Sequence, residues 1–219
     1  MTRRNIYSLL LKWRDYMDDD KVFGFWLYLM TDLVIFAVLF ATFAVLHNNT
    51  FGGPSGRELF NLSTVLAETI ILLTSSFTCA LAMLGVHRGQ KMSAILWFSV
   101  TFGLGISFLC LEFSEFSRLI AAGAGPQRSG FLSSFFTLVG MHGFHISIGL
   151  LWMAVAIFRI GFRPLVAPAV SKIFRMALFW HFLDFVWIFI FTVVYGMGTL
   201  LKCIPHSLHA SSVLPPLFS

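Results

Sequence analysis

The chain has 219 residues, of which 58% are hydrophobic and only 11% are charged. So high an apolar fraction is more than a globular protein can cover with polar surface in water, which excludes an ordinary soluble domain. The net charge of +5 does not indicate nucleic-acid binding, because Lys and Arg lie in blocks between long apolar runs and form no basic face. A bilayer is therefore the expected solvent.

Five apolar runs are long enough to cross a membrane, since about 20 residues span roughly 30 Å of hydrocarbon. Segments rich in turn-forming residues separate them, such as the glycines and proline between Gly52 and Gly56. We predict an all-α integral membrane bundle of five transmembrane helices. The runs cover residues 24–46, 62–86, 93–116, 130–158 and 173–200.

The chain divides into a central membrane domain and two short ends. We predict an interfacial N-terminal segment at 1–21, the five-helix domain at 22–200 and a C-terminal tail at 201–219. Between Ile6 and Met17, apolar residues recur at helical spacing while charged residues take the other face. This pattern favours a short helix lying on the membrane surface, with an unstructured segment as the alternative.

The Lys and Arg residues predict the orientation, because positive flanks resist translocation across the membrane. All 15 of them fall on alternate sides of the five runs in a ratio of 11 to 4. This asymmetry predicts a cytoplasmic N-terminus and, with five spans, a periplasmic C-terminus. The smaller group consists of Arg57, Arg118, Arg128 and Lys202.

Eight Asp, Glu and His side chains lie inside the apolar runs, where a charged side chain costs about 2.5 to 3.5 kcal/mol to insert. Such residues usually face other helices and pair with one another. Three pairs stand three residues apart, a spacing that puts both members on one helix face. The eight candidate residues are Asp32, Glu68, Glu112, Glu115, His142, His145, His181 and Asp184.

Several kinds of site are compatible with these residues. His142, His145, His181 and Asp184 could hold a di-metal centre in a helical bundle. A heme held by His181 and one of the two other histidines is a second alternative, and a proton path along Asp32, His181 and Asp184 is a third. The favoured interpretation is hydrogen bonding between helices, which satisfies polar groups where water is absent.

Four segments resemble one known family. Phe179–Trp187, which reads FWHFLDFVW, is similar to the last-helix signature of heme-copper oxidase subunit III, and Gly130–Phe136 and Gly140–His145 resemble its preceding span. Lys21–Asp32, which reads KVFGFWLYLMTD, resembles the start of the cytochrome o quinol oxidase branch. The resemblance extends over about 21–200.

This resemblance implies the accessory subunit III of a proton-pumping ubiquinol oxidase in a bacterial inner membrane. It implies no catalytic residue, metal or cofactor in this chain, with heme b, heme o and copper in subunit I. The expected partners are subunits I and II, a small subunit IV and bound phospholipid. The expected role is to stabilise subunit I and to support proton uptake or oxygen access. Five helices are typical of the quinol branch, and Glu68 and Glu115 match acidic positions of the family.

Two other functions remain open at this point. One is subunit III of a cytochrome c or menaquinol oxidase, or a relative associated with nitric oxide reductase. The other, from a different class, is an independent membrane transporter that uses the buried acids and histidines.

Overall fold

The structure is a computed structural model that describes residues 19–46, 62–162 and 167–196, and the side chains within 22–46, 63–162 and 169–194. Most of the predicted N-terminal interfacial segment and the whole predicted C-terminal tail lie outside the described residues.

The described chain forms five long α-helices, each apolar and long enough to cross a membrane. The last of them continues as a π-helix over Phe191–Gly196. The prediction of an all-α bundle of five transmembrane helices is confirmed for these residues. The helices are α1 (Asp19–Leu46), α2 (Leu62–His87), α3 (Lys91–Ala121), α4 (Gly130–Phe162) and α5 (Ala167–Ile190).

Helices α3 and α4 extend beyond the apolar runs that predict them. The third run was predicted at 93–116, whereas α3 has 31 residues, and the fourth was predicted at 130–158, whereas α4 has 33. At about 1.5 Å of rise per residue both helices are longer than the roughly 30 Å of hydrocarbon. A helix can continue past the edge of the hydrocarbon through residues that are not apolar. The apolar pattern alone therefore does not predict where the helix ends.

Glycines in the left-handed conformation end α2 and α3. Gly89 has φ +70°, and the N–H of Gln90 donates to the Gly85 carbonyl at 3.0 Å. Gly123, with φ +74°, occupies the same position after α3. This arrangement satisfies the last helical carbonyls and reverses the chain sharply. The α2–α3 connection is consequently short, and the two helices form a close antiparallel pair.

The order of packing differs from the order in sequence. Helix α1 packs mainly on α4 and α5, whereas α2 packs on α3 and α5. Helix α4 contacts α1, α3 and α5. Polar side chains on helices that are distant in sequence are thereby brought to the same interfaces.

Trp180 of α5 occupies the centre of the bundle. Its ring is fully buried and lies against Gly105 of α3 and Gly149 of α4. A Cβ at Gly105 would come within 2.8 Å of the Trp180 ring and of Leu150. Small residues at helix interfaces allow such close approach in membranes, where apolar burial alone drives no association.

Candidate functional site

Asp32 of α1 and His145 of α4 form a pair across their helix interface. Both are buried, and His145 Nε2 lies 3.5 Å from Asp32 Oδ2. His145 Nδ1 lies 2.8 Å from the Met141 carbonyl oxygen, which can only accept, so Nδ1 carries a proton and donates. An attractive contact at Nε2 then requires one further proton, held by the imidazole or by the carboxyl.

His181 and Asp184 of α5 meet Ser76 of α2. Ser76 Oγ lies 2.8 Å from His181 Nδ1, and Asp184 Oδ2 lies 3.9 Å from the same nitrogen. A Ser-His-Asp hydrolase instead uses both ring nitrogens, one for the serine and the other for the carboxylate. This group therefore links two helices and does not have the geometry that activates a serine nucleophile.

Glu68 of α2 and Glu112 of α3 are buried carboxyls close enough for their charges to interact. Glu112 packs on the backbone of α4, because a Cβ added at Gly143 would meet its Oε1 at 3.2 Å. Both carboxyl oxygens of Glu112 and Oε1 of Glu68 are buried without a hydrogen-bond partner among the described residues. Oδ2 of Asp32 and both oxygens of Asp184 also lack a hydrogen bond among the described residues, but those two carboxyls lie 3.5 Å and 3.9 Å from a histidine nitrogen. A buried carboxyl without a partner is expensive inside a membrane.

His142 of α4 is fully buried in an aromatic box. Its ring stacks on Trp187 with centroids 5.2 Å apart, and Phe108 meets it edge-on at 6.0 Å. Phe36 of α1 completes the contact at 6.4 Å. Neither ring nitrogen has a hydrogen-bond partner among the described residues. The side chain packs as an aromatic ring in the region where α1, α3, α4 and α5 meet.

Glu115 lies one turn after Glu112 on α3 but has an ion-pair partner. The Arg118 guanidinium forms an ion pair with the Glu115 carboxylate within the same helix, and Arg118 is half exposed. Arginine near a helix end can reach the polar edge of the bilayer. This pair therefore neutralises a carboxylate without a second helix.

The four residues of the di-metal alternative do not converge. His142 lies in the aromatic box, His145 pairs with Asp32, and His181 and Asp184 face Ser76. In the part of the chain that the structure describes, no group of three or more His, Cys, Asp and Glu side chains is placed to hold a metal ion. The histidines of the heme alternative are likewise directed to different neighbours.

Comparison with known proteins identifies the family. The profile of the family described as cytochrome c oxidase subunit III matches residues 15–199. The chain belongs to this family. It is 60% identical to cytochrome bo(3) ubiquinol oxidase subunit 3 of Pseudomonas aeruginosa, over 83% of this chain and 87% of that protein. Quinol oxidase subunit 3 of Bacillus subtilis is 44% identical, over 81% and 87%.

A third relative carries a different electron donor in its name. Cytochrome c oxidase subunit 3 of Bacillus sp. PS3 is 44% identical, over 82% of this chain and 86% of that protein. Membership of the subunit III family and the five apolar helices together make the chain a multi-pass membrane protein and one subunit of a larger oxidase. The predicted resemblance to heme-copper oxidase subunit III is thereby confirmed.

Sequence reasoning missed several polar residues of this subunit III bundle. Ser76 was not a candidate, because a serine in an apolar run gives no signal that a histidine on another helix faces it. Trp187 was not expected to donate its Nε1–H to Thr69 Oγ1 at 3.2 Å, since that contact joins α5 to α2. The Glu115–Arg118 pair, by contrast, could have been found from its spacing of three residues.

Proposed function

We propose that this chain is the accessory subunit III of a proton-pumping ubiquinol oxidase, a complex that oxidises quinol and reduces oxygen to water. The observation that carries the proposal is the 60% identity, over 83% of the chain, to the Pseudomonas aeruginosa protein named cytochrome bo(3) ubiquinol oxidase subunit 3. The relatives from Pseudomonas putida and Buchnera aphidicola carry the same name.

An accessory role agrees with how the buried polar groups are used. The pairs Asp32–His145 and Ser76–His181 each connect two helices, and His142 packs as an aromatic ring. We assign the chemistry to subunit I, with heme b, heme o and copper, and we assign no catalytic residue to this chain. Its role is to stabilise subunit I and to support proton uptake or oxygen access.

The partners in this proposal are subunits I and II, a small subunit IV and bound phospholipid. The complex lies in the inner membrane of a bacterium. The Lys and Arg asymmetry supports a cytoplasmic N-terminus and a periplasmic C-terminus. Reporter enzymes fused to each end test this orientation, because alkaline phosphatase is active only in the periplasm. Activity of an N-terminal phosphatase fusion would contradict it.

A second candidate function is subunit III of a cytochrome c oxidase. The observation that favours it is the relative from Bacillus sp. PS3, which is 44% identical and is named for cytochrome c. The two candidates differ in the electron donor of the complex and not in the fold of this chain. Turnover with ubiquinol and with reduced cytochrome c separates them.

The decisive experiment is purification of the native assembly through an affinity tag on this chain after mild solubilisation. We expect a heme spectrum, subunits I and II by mass spectrometry, and oxygen consumption with ubiquinol. Oxygen consumption only with cytochrome c would favour the second candidate. A chain that purifies alone and transports a solute in vesicles would overturn both in favour of a transporter.

A further inference from the structure

His181 differs from the other acidic and histidine residues inside the apolar runs because 39% of its side chain is exposed. It lies in the fifth candidate membrane span, which covers Ala169–Val194 of the described residues, roughly two helical turns after the start of the apolar run at residue 173. His181 therefore lies within the apolar thickness. A polar group at that depth is expensive to leave against acyl chains, which offer no hydrogen bond.

The two ring nitrogens of His181 have different surroundings. Nδ1 is directed inward, 2.8 Å from Ser76 Oγ and 3.9 Å from Asp184 Oδ2. Nε2, on the other side of the ring, makes no hydrogen bond to any described residue and is not enclosed by the bundle. The Ser76 hydroxyl can donate to Nδ1 or accept from it, so either tautomer of the ring fits this contact. In both tautomers Nε2 keeps a hydrogen-bonding capacity that no described residue uses.

Two exposed polar side chains on neighbouring helices do not share this feature. Thr74 on α2 donates to the Ile70 carbonyl at 2.7 Å, and Ser107 on α3 donates to the Gly103 carbonyl at 2.9 Å. Their hydroxyls are satisfied within their own helices and tolerate a lipid environment. His181 has no equivalent bond for Nε2.

The surroundings of His181 are otherwise apolar and exposed. Phe185 and Ile188 follow it on the same face of α5, and Leu73 and Phe77 flank Ser76 on α2. We call these five side chains the His181 surface: Leu73, Phe77, His181, Phe185 and Ile188. It is an apolar strip between two helices with one hydrogen-bonding group inside the membrane span, a pattern that suits a polar contact between transmembrane helices.

We propose that the His181 surface binds a transmembrane helix of another subunit of the oxidase, and that a polar side chain of that helix forms a hydrogen bond with Nε2. This inference rests on the proposed function, because it requires the chain to be part of a complex. We favour a protein helix over a lipid at this surface because an acyl chain cannot form a hydrogen bond with Nε2. The contact would hold the subunit in register at a defined depth.

Photo-cross-linking in the intact complex tests the position of the partner. A benzophenone amino acid replaces Phe77 or Phe185 on the His181 surface, and Leu151 on α4, which is also exposed, serves as the matched control. We expect Phe77 and Phe185 to cross-link to one transmembrane peptide of another oxidase subunit, and Leu151 to give a different product. Cross-links from both surface positions only to lipid, or only to a second copy of this chain, would overturn the proposal.

Substitution of His181 tests the hydrogen bond, with the amount of this chain retained in the heme-containing complex after a detergent wash as the readout. On a lipid-facing surface, His181→Leu should leave retention unchanged or raise it. On a docking surface it should lower retention roughly tenfold, whereas His181→Gln should largely restore it. Thr74→Val, a polar-to-apolar change at a self-satisfied position, is the matched control and should have no effect.

A loss of folding must be separated from a loss of docking. Ser76→Ala removes the inward bond of His181 and leaves Nε2 in place, so we expect retention close to that of the unsubstituted chain. Equal losses in Ser76→Ala and His181→Leu would overturn the proposal in favour of a purely internal role. If the unsubstituted chain does not co-purify with hemes, the proposed function itself fails. If the unsubstituted chain does co-purify with hemes, and the His181→Leu variant is retained to the same extent, only the docking inference fails.

Discussion

Asp32 and His145 face each other across the α1–α4 interface, with Asp32 Oδ2 and His145 Nε2 3.5 Å apart. The two residues are far apart in sequence and on helices that are not consecutive. Phe36, one turn along α1, packs its ring on His145 with centroids 5.3 Å apart. The pair and the ring together attach α1 to the rest of the bundle.

Removing one member of this pair should destabilise the bundle more than removing both. We expect Asp32→Leu or His145→Leu alone to lower the free energy of unfolding by about 1 to 2 kcal/mol, because the remaining polar group loses its partner. The double variant should recover part of that loss. Unfolding in mixed micelles, followed by tryptophan fluorescence, measures the cycle. Thr31→Val is the control, since its hydroxyl bonds the Leu27 carbonyl of its own helix; strictly additive losses would contradict the pairing.

Two glycines of α3 should respond oppositely to the same substitution. Gly105→Ala places a Cβ 2.8 Å from both Leu150 and the buried Trp180 ring, so we expect a loss of about 1 to 3 kcal/mol from overpacking. Gly103→Ala meets nothing within 4 Å and should be neutral or slightly stabilising, because alanine favours helix. Thermal denaturation of the solubilised complex compares the two. Similar midpoints would show that the α3–α5 approach is looser than described.

Glu68→Gln should leave assembly of the complex largely intact. Glu68 Oε1 is buried without a described partner, and the neutral amide removes a charge that would interact unfavourably with Glu112 if both carboxyls were ionised. We expect normal amounts of this chain in the purified complex, judged by gel quantification against the heme content. A complex that fails to form would reveal an essential partner of the Glu68 carboxylate.

Trp187→Phe should cost about 1 kcal/mol by removing the hydrogen bond to Thr69. The indole Nε1 donates to Thr69 Oγ1 at 3.2 Å and the ring stacks on His142, while phenylalanine keeps much of the aromatic packing. The matched change is Thr69→Val, and the two losses should not add. The same unfolding assay measures the double variant. A loss of unfolding free energy equal to the sum of the two single losses would argue against this bond.

The five spans could be predicted because apolar length is a local property. Each run had to satisfy its own backbone hydrogen bonds in hydrocarbon, and α-helix is the form that a single segment can adopt there. The ends of α3 and α4 were predicted less accurately. A turn of helix at the membrane interface does not require apolar residues, so the apolar pattern does not mark it.

The sequence by itself determined the number of spans, the family resemblance and the set of ionisable residues inside the membrane. Only the tertiary structure decided which of them meet: Asp32 with His145, Ser76 with His181, and His142 with Trp187. These contacts depend on α1 packing against α4 and on α2 packing against α5. That arrangement is decided by close contacts such as Gly105 against Trp180, which join helices distant in sequence and leave no pattern within any one of them.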